Sequence, residues 1–176
     1  MKLKQGLFAA IVAVLAFGIA APASAVPGGT TATITVQGGV LAITVPTDAG
    51  NFGTATNTVS GEVITGSLGQ VQVNDARDAA AGSGWVASVI ATAFTPSAGP
   101  AIPASAVGYT AGLITKVGTA TFTANDPTDL TGVVAAVTAT GITGDNSATW
   151  EPTISVSVAG GMAAGVYSAT ITHSVA

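Results

Sequence analysis

The sequence of 176 residues contains no cysteine, one histidine and only 7% charged residues, 4 Lys+Arg against 8 Asp+Glu. Without cysteine there is neither a disulfide framework nor a thiolate-ligated metal site. A formal net charge of −4 with no cluster of basic residues excludes the phosphate neutralisation that nucleic-acid binding requires. So little charge also excludes a coiled coil and high-charge disorder. What the chain does have is 48% hydrophobic residues, 23 Gly and 8 Pro.

Residues 1–25 read as a secretory signal peptide. Lys2 and Lys4 form the positive start, Leu7 to Ala20 the apolar run, and Ala23-Ser24-Ala25 the small-residue cleavage site. That run falls short of the roughly 20 residues needed to span a bilayer. Cleavage before Val26 leaves one domain, residues 26–176, in which Arg77 and Lys116 face eight carboxylates. A chain of that size buries about 68–70% of its unfolded surface, enough for a core without staples. No transmembrane segment is expected in it.

From Thr30 onward, Val, Ile, Leu and Phe alternate with Thr and Ser, the period of half-buried antiparallel strands. Trp150, Pro152, Ile154, Val156 and Val158 share one parity, and Thr149, Glu151, Thr153, Ser155 and Ser157 the other. The pattern recurs at Ile34 and Val36, at Leu41, Ile43 and Val45, at Val71 and Val73, and at Ala120, Phe122 and Ala124. Around Trp85 it blurs: Trp85, Ala87 and Val89 fall on one face and Ile90 and Phe94 on the other, which predicts a bulge or a strand buried on both sides. Turn signals stand at Gln37-Gly38-Gly39, Asp48-Ala49-Gly50-Asn51, Ser60-Gly61, Asp126-Pro127 and Gly144-Asp145-Asn146. Thr95 to Ala106, with three prolines, reads as a long loop or crossover. These features predict an all-β fold, a single antiparallel β-sandwich of immunoglobulin-like or jelly-roll-like type.

The chemistry on offer is sparse. Every histidine-based nucleophile scheme must pass through His173, near the end of the last strand and without a Gly-x-Ser-x-Gly elbow. The only glutamates, Glu62 and Glu151, and most aspartates fall where turns favour them, so no acid–base pair is expected. Calcium is the one cofactor with oxygen-rich candidates, at Asn74-Asp75, Asp78, Asn125-Asp126, Asp129 and Asp145-Asn146. None has EF-hand spacing, and turn chemistry accounts for them without an ion. Lys116 is the only lysine of residues 26–176, hence their one side-chain amine for an internal cross-link, and reads as an exposed strand-end lysine. The expectation is a protein that is not an enzyme and needs no cofactor.

Two segments carry a resemblance. The first is Leu68 to Arg77, with Val71, Val73, Asp75 and Arg77, followed by Gly84-Trp85-Val86-Ala87-Ser88-Val89. The second is Trp150-Glu151-Pro152 to Val158, followed by Ala164-Gly165-Val166-Tyr167-Ser168-Ala169-Thr170. Together they resemble the WxL-domain family of secreted Gram-positive surface proteins over about Thr33 to Val175, as a divergent, actinobacterial-like member. Val86-Ala87 and Glu151-Pro152 follow the tryptophans where the family has Trp-x-Leu. The resemblance implies a cell-surface protein held non-covalently on peptidoglycan or another wall glycan, beside a membrane-anchored partner protein.

The candidate ligand-binding residues are Trp85, Trp150, Glu151, Asp75 and Arg77. Asp75 and Arg77 suit a rim ion pair or hydrogen-bonded turn, worth about 0–1 kcal/mol if exposed. Trp85 and Trp150 suit either central packing or, if partly exposed, stacking on sugar rings, with Asp145, Asn146 and Glu151 adding hydrogen bonds beside Trp150. A second reading is a structural subunit that self-assembles by edge-strand pairing into a filament or layer, donating the charge-free segment Val26 to Gln37.

Overall fold

The computed structural model describes residues 32–176; the expected signal peptide lies outside them. The described chain comprises the end of a short leading unit, residues 32–35, and one compact unit, Val36–Ala176, that holds every strand. Ten strands follow one another: β1 (Leu41–Thr44), β2 (Glu62–Ser67), β3 (Val71–Ala91), β4 (Thr95–Pro96), β5 (Val107–Thr110), β6 (Thr115–Ala124), β7 (Val134–Trp150), β8 (Thr153–Val158), β9 (Tyr167–Ser168) and β10 (Ile171–Val175). One short 3₁₀ turn, Ala104–Ala106, precedes β5. The protein is an all-β sandwich of antiparallel sheets, as the alternation predicts. Among the described residues no helix is long and apolar enough to cross a membrane.

The larger sheet runs β1-β3-β7-β6, with β10 on the same strand β3 further along; the smaller runs β2-β8-β5, and β4 pairs β9 in a two-stranded ribbon. Valine-rich and aromatic inward positions explain the packing. Val71, Val73, Trp85, Ala87 and Val89 of β3 and Ile142, Ala148 and Trp150 of β7 face Val107, Tyr109, Ile154 and Val156 of the smaller sheet, all buried. Across the larger sheet Trp85 and Phe122 both stand opposite Ala139. The small residue between them lets the two rings meet, tilted, at 5.6 Å.

Four departures from the sequence reading have physical causes. Asp75 to Arg77 and Gly144-Asp145-Asn146 are not turns between strands but paired bulges inside β3 and β7. Asp75 pairs with Asn146 and Ala79 with Gly144, so three residues of β3 stand against one of β7; Asp78, at φ 52, takes the left-handed conformation this requires. The blurred parity near Trp85 is likewise a bulge, but on the partner. Ala87 faces Val137 and Ser88 faces Ala135, leaving Ala136 as the extra residue of β7. The run Thr149 to Val158 keeps its inward parity yet changes sheet at Glu151-Pro152, where proline has no N–H for a ladder and its carbonyl instead accepts from Leu68 N at 2.9 Å. Finally, Ile34 and Val36 lie outside any strand, in a segment from Ala32 to Val40 without regular structure, 91% and 89% exposed.

Gly118 sits where the β6–β7 register slips, with φ 86 and with Asp145 O only 2.5 Å from where a Cβ would be. Gly141 has φ 64 with open space around it. Gly118→Ala is therefore expected to cost about 2–3 kcal/mol in urea denaturation, combining backbone strain with a clash, whereas Gly141→Ala costs about 1.

Candidate functional site

Both tryptophans are packed inside the sandwich, 2% and 1% exposed, so neither ring presents a face on which a sugar could stack. The sugar-stacking expectation is thus corrected: large apolar rings of inward parity are worth more to a core free of disulfides than to its rim. Each indole N–H is also already committed. Trp85 Nε1 donates to Asn146 Oδ1 at 2.9 Å, and Trp150 Nε1 donates to the Tyr109 hydroxyl at 2.7 Å. Glu151 is exposed at the corner between β7 and β8 and joins neither group.

The first group is a buried polar chain. Asn146 Nδ2 donates to Asp75 Oδ2 at 3.1 Å, and Arg77 grips the same carboxylate with Nε at 2.7 Å and Nη2 at 3.0 Å. Arg77 Nη2 reaches on to Gly84 O at 3.3 Å. Asp75 is 1% exposed, not the rim residue expected, because the bulge folds Arg77 back over it. The side chain of Arg77 remains 38% exposed and keeps the pair in touch with solvent. The Arg77 hydrogen bond, aided by Asn146 and opposed by burial, holds the Asp75 carboxyl below its usual range. With bidentate geometry and, among the described residues, every buried side-chain polar atom partnered, this network locks the bulge.

The second group joins the two sheets. Tyr109 on β5 accepts from Trp150 on β7, and its oxygen lies 3.3 Å from His173 Nε2 on β10, with the two rings edge-on at 5.6 Å. Since the hydroxyl oxygen accepts from the indole, its own proton is free to go to a neutral imidazole. Burial pushes His173 down to about 4 and raises the Tyr109 phenol. The sequence puts His173 near the end of the last strand; it is half-buried in the middle of β10. Tyr109 is not among the candidates, and Asn146, expected to add a hydrogen bond beside Trp150, serves Trp85 instead. Their partners lie 41 and 61 residues away, and only the fold brings them together.

A cavity of about 910 Å³ opens between the sheets beside His173, walled by Phe52, Ile64, Phe94, Val156 and Tyr167 and roofed by coil from residues 45–57 and 159–166. Among the described residues no three His, Asp or Glu converge as metal ligands.

The exterior differs in kind. On the outward face of the larger sheet Thr123 stands opposite Thr138, Thr121 opposite Thr140, and Thr119 opposite Thr143. Thr115 faces Thr149, Thr149 faces Gln72, Asn74 faces Ser147, and Ser88 faces Ser174. Only a few of these groups bond each other, as Gln72 Nε2 does to Thr149 Oγ1 at 3.2 Å and Asn125 Nδ2 to Thr138 Oγ1 at 2.9 Å. The result is a broad sheet face of hydroxyl and amide groups. No known family, curated protein or solved structure matches the chain.

Asn146→Leu strands the Trp85 N–H and one lobe of Asp75 in the core, and is expected to cost about 2–4 kcal/mol by thermal or urea unfolding. The two titrating groups act in separate windows. His173 takes up a proton near 6.5 when unfolded but near 4 when folded, so its contribution is complete above pH 6.5 and lost as pH falls toward 4. The Asp75 contribution is present above the usual carboxylate range and lost only below it, as pH falls through the depressed value. Stability measured from pH 7 to 4 should therefore fall by on the order of 2–3 kcal/mol in the native chain and stay nearly flat in His173→Gln.

Proposed function

We propose that this chain is a secreted, non-enzymatic cell-surface protein that associates non-covalently with the peptidoglycan or another glycan of a Gram-positive wall. The observation that carries the reading is the hydroxyl-rich outer face of β3, β6, β7 and β10. Rows of Thr and Ser, with Gln72 and Asn74, can exchange hydrogen bonds with the hydroxyl and acetamido groups of a sugar polymer without a deep pocket. The low charge of that face spares it the desolvation of ion pairs. The resemblance to WxL domains supports the same setting, with the contact moved from the tryptophans to the sheet face. A membrane-anchored partner fits beside it as a second hold on the surface.

A shallow face of neutral hydrogen bonds gives weak binding, of micromolar to millimolar Kd, about −8 to −4 kcal/mol. Retention then comes from many equivalent sites on the polymer or from the partner protein. Washed Gram-positive walls mixed with the protein should pellet it saturably. Replacing Thr119, Thr121 and Thr140 together by Ala should weaken pelleting several-fold at unchanged unfolding midpoint. Equal pelleting by this variant would remove the face from the contact, and no pelleting of the native chain would remove the wall.

A further inference from the structure

We infer that residues 32–37 of one molecule add as a strand to the outer edge of β6 in a second molecule, so that copies associate head to tail. This is independent of the wall contact. The donor is the segment Ala32-Thr33-Ile34-Thr35-Val36-Gln37, which has strict alternation, no charge and no proline. It has the composition of a strand yet no regular structure, and its Ile34 and Val36 are 91% and 89% exposed. Two bulky aliphatic side chains of one parity held in water are an unmet demand for a sheet edge.

The acceptor follows from comparing the edges. The outer side of β5 is occupied, since Tyr109 N donates to Pro127 O at 2.8 Å. The region of β2 is guarded by the 45–57 coil, with Thr56 N on the Glu62 carboxylate at 2.9 Å and Phe52 packed over Gly66. β6 ends the larger sheet and has no strand on its outer side among the described residues. Its first half carries two guards. Lys116 puts a charge at a position whose cross-strand neighbours Ala148 and then Val73 are buried, and Gly118 breaks the register. Its second half, Thr119–Ala124, carries none: no charge, no proline and no glycine.

The two six-residue stretches match in chemistry. In β6 the outward parity is Thr119, Thr121 and Thr123, and the inward one Ala120, Phe122 and Ala124, all three only half-buried. A strand laid alongside would continue the hydroxyl face with Thr33 and Thr35. It would set Ile34 and Val36 beside Phe122, extending the row that begins at Trp85. Main-chain hydrogen bonds supply the affinity and these side chains the register. Because the donor and acceptor are different patches of the same chain, each copy added head to tail leaves one donor and one acceptor free, so the association propagates wherever the copies do not close on themselves.

Sedimentation velocity of the chain from Val26 onward, from micromolar to millimolar concentration, should show species growing beyond a dimer. Ile34→Lys/Val36→Lys should weaken this by about tenfold or more at unchanged unfolding midpoint, since both side chains are exposed. That variant, labelled with ¹⁵N and titrated with a synthetic peptide of residues 30–38, should then show slowed amide exchange confined to Thr119–Ala124. A native chain that stays monomeric, a double variant that assembles as the native chain does, or peptide protection on β2, β10 or the cavity instead of β6 would each overturn the proposal.

Discussion

Two indole N–H groups inside an apolar core set the terms for everything around them. A buried donor left without an acceptor costs more than a made hydrogen bond returns, so each tryptophan must be accompanied inward by a polar side chain. Trp85 brings Asn146, Asn146 brings Asp75, and a buried carboxylate brings Arg77. Trp150 brings Tyr109, and the tyrosine hydroxyl brings His173. The first chain fixes the bulge through which β3 and β7 stay paired beyond Asn146; the second ties three strands of the two sheets to one oxygen atom. In a protein without disulfides these two chains supply the specificity that packing of small aliphatic residues does not.

The same arrangement explains what could be read from the sequence and what could not. Within the long paired strands the period-two pattern marks the inward and outward faces, because burial acts residue by residue: Val71, Val73, Ile154 and Val156 are inside and Thr121 and Thr123 outside, whereas Ile34 and Val36 carry the pattern without a strand to pair with. Turn residues were ambiguous. Asp-x-Arg and Gly-Asp-Asn serve a bulge as well as a turn, because both need a left-handed residue and a side chain that bonds its own backbone. The corner at Pro152 was hidden since a strand that changes sheets keeps its parity. The tryptophans were legible as large apolar residues, but their partners were not: Asn146 and Tyr109 have no local signature, and a hydrogen bond across 61 residues is a property of the register.

Interior and exterior are therefore built from different stock. The two tryptophans, Tyr109, His173 and the Asp75–Arg77 pair lie inside or at a bulge and are used up in mutual contacts. The exterior of the larger sheet is left with hydroxyls and a few amides, repeated at strand spacing. Repetition matters more than strength there, since a polymer or a second sheet meets many weak groups at once. It also means that single substitutions on the face change little of it.

Arg77 and Lys116 are the only basic side chains in the compact unit, and both belong to paired strands, β3 and β6. A trypsin-like protease needs an extended segment freed into its cleft, so it finds only two peptide bonds to attack, and each requires the chain to open first. At Arg77 the guanidinium that the protease would recognise is already folded onto Asp75. The scarcity of charge thus has a further consequence: digestion by such enzymes is set by how often the sandwich unfolds.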